Sequence, residues 1–106
     1  MTMAADKTVE KAAHVTLTAN TAYTINLTGA GRYIDVIAHS HGSHNDVYFA
    51  TAATEADLPT ITAGADNTYI AHADERIRVP APRNTWIRLI SGSGMDASVV
   101  KISTIF

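Results

Sequence analysis

The chain has 106 residues, 46% of them apolar and 17% charged, with a formal net charge of −2 and no cysteine. That length supports one modest core, and the composition is too apolar for a disordered chain. Eight Lys and Arg against ten acids supply no basic footprint for nucleic acid, and with no cysteine the fold is not stapled by disulfides. The expectation is a soluble cytosolic protein, because the N-terminus lacks a signal-peptide pattern and no apolar run reaches membrane-spanning length.

Residues 1–13 carry Asp6, Lys7, Glu10 and Lys11 and little β-branching, so they read as an N-terminal arm ahead of a domain over 14–106. From His14 onward the chain alternates. Val15 and Leu17 share one face and Thr16 and Thr18 the other, Asn20-Thr21 suits a tight turn, and Tyr23, Ile25 and Leu27 point inward, which together predict a hairpin. After Gly29-Ala30-Gly31, residues 32–39 place Ile34, Val36 and Ala38 on one face and Tyr33, Asp35 and Ile37 on the other, with Asp35 expected at the surface. A polar loop over 40–45 leads into a short strand with Val47, Tyr48 and Phe49.

Residues 52–67 have no clear period, and such long loops often contact partners. Within them, 54–58 suits a single helical turn capped by Thr54 and stopped by Pro59. Strands follow over 68–71 and 75–79, the latter with Ile77 and Val79 inward. The strongest strand, 84–91, sets Ile87 and Leu89 against Trp86, Arg88 and Ile90; the last, 97–106, groups Val100, Ile102 and Phe106. About eight short strands with regular turn signals predict an all-β fold, a single small β-sandwich of jelly-roll or immunoglobulin-like type.

The cluster that invites a metal holds His39 and His41, which would share a strand face, with His44 or Asp46 as the third ligand. Glycine, serine and asparagine mark the same segment as a loop, so the prediction is no metal and no cofactor. No G-x-S-x-G elbow or spaced carboxylate pair appears, so no catalytic residue is assigned and no enzyme activity is expected. Gly64-Ala65-Asp66-Asn67 resembles the start of a calcium loop without its later acids, and reads as a turn. Arg76 and Arg78 should leave one face together, with Arg88 on a similar one. Cross-strand pairing with Asp35, Asp74 or Glu75 competes with an interface role, since arginine is enriched in contact cores. The residues expected to meet partners are Lys7, Glu10, Lys11, Leu58, Ile61, Arg76, Arg78 and Arg88.

The segments DLPTITAGADNTYI, RIRVPAP and TWIRLISGSG, with the opening VTLTANTAYTINLTG and the runs RYIDVIAHS and DVYFAT, resemble the small all-β virion proteins of tailed phages. The resemblance runs from His14 to the end and departs at HSHGSHND, where similar chains carry a plain turn. It implies a capsid decoration or cement protein, assembled in the host cytoplasm and seated on the capsid surface. The implied partners are the major capsid protein and further copies of itself, often as a trimer, with neither nucleic acid nor membrane. Tail, neck or fibre-associated components share such folds, and a carbohydrate- or receptor-binding module is the alternative from another class.

Overall fold

The computed structural model describes residues 6–29, 31–39, 46–64, 68–72, 74–81, 85–92 and 95–102. Among them are nine strands: β1 (Lys7–Val9), β2 (Ala12–Leu17), β3 (Tyr23–Leu27), β4 (Tyr33–His39), β5 (Val47–Ala52), β6 (Tyr69–Ala71), β7 (Arg76–Pro80), β8 (Thr85–Ser91) and β9 (Met95–Ile102). One 3₁₀ turn, Glu55–Asp57, lies where the sequence predicts it. The Thr54 hydroxyl donates to the Asp57 carboxylate at 3.0 Å rather than capping a backbone N–H. None of these elements is a helix long and apolar enough to cross a membrane.

The strands form two sheets, ordered β1-β3-β8-β5-β6 and β2-β9-β4-β7. Four antiparallel pairings nest inside one another: β2 with β9, β3 with β8, β4 with β7 and β5 with β6. The chain is therefore one long doubled ribbon rolled over on itself, and the contacts β4·β9 and β5·β8 close the roll. This is jelly-roll topology, which decides between the two expected sandwich types.

Period-two burial accounts for the core. Leu17, Ile25, Leu27, Ile34, Val36, Phe49, Ile87, Leu89, Met95 and Val99 interdigitate between the sheets. Four expectations change. β2 and β3 are not a hairpin; Asn20, at φ 57°, turns the chain from one sheet to the other, and its N–H donates to the Ser91 carbonyl at 2.8 Å. The expected arm also shrinks, because Lys7–Val9 pairs in parallel with β3 and β2 begins at Ala12, burying Ala13. Backbone bonds continue this attachment from Asp6 to Thr24 and from Gly29 to Glu10, each 2.8 Å.

In β9 the buried face is Met95, Ala97, Val99 and Lys101, while Val100 and Ile102 lie on the partly exposed face; Phe106 is outside the described residues. Finally, Asp35 is 2% exposed rather than at the surface.

Lys101 thus points between the sheets. Its ammonium donates to Thr85 Oγ1 at 2.9 Å, and its stem fills the space where a side chain on Gly31 would stand. Burial disfavours the charged form and lowers the pKa below the ordinary 10.5. At neutral pH the unfolded chain holds this proton more readily than the folded one, so the lysine costs stability there. That cost fades as pH rises through the folded pKa toward 10.5. Lys101→Met should therefore raise stability at pH 7 by about 1 kcal/mol. In urea titrations, its advantage over wild type should shrink as pH approaches 10.5.

Candidate functional site

The two outer faces of the sandwich differ. On the five-stranded sheet, residues 53–64 fold back over the strands: Ile61, 4% exposed, packs with Ala50, Ile90 and Tyr48, and Leu58 is 8% exposed. Arg88 pins this loop, donating through Nη1 to the Pro59 carbonyl at 2.9 Å and through Nε to Thr24 Oγ1 at 3.1 Å. Leu58 and Ile61, expected at a partner surface, are thus buried, because the apolar side chains of the loop cover their own sheet. Arg88 lies on the opposite side of the sandwich from Arg76 and Arg78, held by internal bonds.

The outer face of β2-β9-β4-β7 carries the clustered polar chemistry. Register sets three rows across it: Ala12, Val100, Asp35 and Arg78; His14, Ser98, Ile37 and Arg76; Thr16, Asp96 and His39. Arg78 grips Asp35 in a two-bond fork, Nε to Oδ1 at 2.7 Å and Nη2 to Oδ2 at 3.1 Å, and Arg76 Nη1 lies 3.7 Å from Oδ2. The guanidinium also sits 5.7 Å from the Tyr33 ring centre. The hydrogen bonds to Asp35, then its charge, raise the Arg78 pKa above its ordinary value. Both arginines thus pair across strands with Asp35 and bury its carboxylate, while their side chains stay 63% and 40% exposed.

Toward the other end of the face, Ser98 Oγ lies 2.8 Å from His39 Nε2 and 3.1 Å from His14 Nδ1. A hydroxyl has one proton, so it donates to one ring and accepts from the other. The two rings stack at 5.4 Å between centroids. His14 Nε2 is 4.0 Å from Asp96 Oδ2, and Asp96 Oδ1 accepts from Thr16 Oγ1 at 3.0 Å. A serine between imidazoles has the parts of a nucleophile, but β9 is laddered on both sides, so its backbone N–H groups are committed to pairing and cannot hold an oxyanion.

Of the histidines weighed as metal ligands, His39 belongs to this group, while His41 and His44 lie outside the described residues. Asp46 is engaged elsewhere, accepting from His72 Nδ1 at 2.7 Å; that bond, then the carboxylate charge, raises the His72 pKa above 6.5. Among the described residues no group of three or more His, Asp or Glu side chains is placed to hold a metal ion. Sequence reasoning missed His14, Asp96 and Ser98, which meet His39 only through strand order.

Charged residues mark both flanks. Lys7 is half-buried in edge strand β1, and Glu10 and Lys11 are exposed in the link to β2. On the opposite flank, Arg76 and Arg78 stand on edge strand β7. Nearby β6 holds Tyr69 and Ile70, 48% and 42% exposed. A cleft of about 330 Å³ opens beside Tyr69, lined by Ala50, Thr51, Pro59 and Thr68. No family model, curated protein or solved structure matches this chain.

Proposed function

We propose that this protein is a capsid decoration or cement protein of a tailed phage, bound as a homo-oligomer to the outside of an assembled shell. The observation that carries the reading is the placement of charged residues on opposite flanks of one two-sheet frame: Lys7, Glu10 and Lys11 at the β1–β2 side, Arg76 and Arg78 at the β7 side. A subunit with contact groups on two sides can bridge neighbouring capsid subunits. Weak contacts then suffice, because a lattice supplies high effective concentration. The resemblance of the strand segments to small virion proteins supports the same conclusion, whereas jelly-roll topology alone is compatible with many functions.

The test is co-sedimentation of the purified protein with assembled shells, followed by electron microscopy. The expected result is density at hundreds of lattice positions per particle, reduced when Lys7→Glu/Lys11→Glu or Arg76→Glu replaces wild type. Undiminished occupancy with both variants would refute the flank contacts; a dozen or fewer copies would assign the protein to the tail or neck. Removing residues 1–13 is a poor test, because it deletes β1 and the start of β2.

The cleft beside Tyr69 favours one second reading, a carbohydrate-binding module. Among the described residues its lining is uncharged, with an aromatic wall and threonine hydroxyls, which suits a neutral sugar. Binding on a glycan array that is lost in Tyr69→Ala would establish it.

A further inference from the structure

We propose that His14 and His39 form a two-imidazole chelate for one borderline divalent transition metal ion, of the zinc, nickel or copper(II) class. The two residues stand on β2 and β4, with β9 between them. They are two strands apart, about 9.5 Å laterally, and offset by two residues along the strands, since His14 pairs with Ser98 and His39 with Asp96. These rings nevertheless lean together to 5.4 Å, and one nitrogen of each is aimed at a single point, Ser98 Oγ. Metal–imidazole bonds are about 2.0–2.1 Å, so an ion between the rings requires the Ser98 hydroxyl to rotate aside and each ring to advance roughly 1 Å. The His14 side chain is 60% exposed and free to make that shift.

The outer partners fit a ligand role. If His14 binds through Nδ1, its Nε2 must carry the proton, and that nitrogen faces Asp96 Oδ2 at 4.0 Å. Asp96 is itself held by the Thr16 hydroxyl at 3.0 Å. At that distance the carboxylate makes no hydrogen bond, and its charge favours the Nε2–H tautomer through space. Imidazole donors select zinc, nickel and copper over magnesium and calcium, which prefer oxygen. Two protein ligands leave the remaining coordination to water. The bound ion would tie edge strand β2 to β4 across β9, so occupancy should stabilise the four-stranded sheet.

The experiment is calorimetric titration of the untagged full-length protein with zinc chloride at neutral pH, with melting curves in parallel. One ion per chain should bind, and zinc should raise the thermal midpoint. His14→Gln and His39→Gln should each abolish both effects, and Asp96→Asn should weaken binding by about tenfold. The double variant His41→Gln/His44→Gln should bind as wild type does. Because His14 is on the exposed face, a circular dichroism spectrum matching wild type shows that its variant remains folded. Absence of zinc binding, or binding that survives His14→Gln, overturns the proposal. The metal site is independent of the proposed virion role, so either can fail alone.

Discussion

Arg78→Gln should lower the thermal midpoint by on the order of 10 °C, whereas Asp35→Val should lower it far less. The asymmetry follows from where the two charges lie. The Asp35 carboxylate is 2% exposed, and Arg78 supplies its two short hydrogen bonds. Removing Arg78 leaves the buried carboxylate, among the described residues, with Arg76 at 3.7 Å as its remaining cation. Removing Asp35 instead leaves two guanidinium groups whose side chains are 40% and 63% exposed and which water can solvate. Valine at 35 also suits a strand and packs beneath the arginine stems. The double variant Asp35→Val/Arg78→Gln should therefore recover most of the loss. Thermal melts of the three variants decide the matter, and equal losses in both single variants would contradict this account.

The second large effect is expected in the core. Phe49 heads the fully buried side chains by volume, lies opposite Leu89 in the ladder, and stacks on Tyr69 at 5.2 Å. Phe49→Ala should cost about 3–5 kcal/mol in urea-unfolding free energy, a large share of what a domain this size has. Phe49→Leu keeps most of the volume and should cost less than about 2 kcal/mol. Alanine also withdraws the support behind Tyr69, so hydrogen exchange in Tyr69–Ala71 should quicken beyond the global loss.

Local pattern made the strands readable, and it failed where partners come from far along the chain. Alternation identifies Ile34, Val36 and Ala38 as core because a pleated strand repeats every two residues. It equally assigns Asp35 to the outside, which is true of its direction and wrong about its exposure. The cover comes from Arg76 and Arg78 on a strand some forty residues later. The Asn20-Thr21 signal marks a reversal, but a hairpin and a passage between sheets use the same turn chemistry. In β9, apolar residues occupy both faces of VVKI, so period two does not set the phase, and Lys101 reads as exposed. Residues 52–67 look like a contact surface because they lack a period; within them Leu58 and Ile61 are buried against a sheet whose position only the fold reveals. The imidazole pair was half legible: His39 stood out beside its neighbours in sequence, while His14 and Ser98 reach it through strand order alone.

The nested pairing of the rolled ribbon also dictates when this protein can fold. Among the described strands β2 has one lateral partner, β9, and β3 lies between β1 and β8. A ribosome must finish nearly the whole chain before β2 and β3 find their antiparallel partners, and of the described ladders only β1–β3 and β5–β6 join strands close in sequence. Contacts of such long sequence separation make folding slow, in the millisecond-to-second range. Until then, runs such as YIDVIA and YFATA stay open to other nascent chains. Refolding yield should accordingly fall as protein concentration rises, a sensitivity set by topology rather than by the final stability.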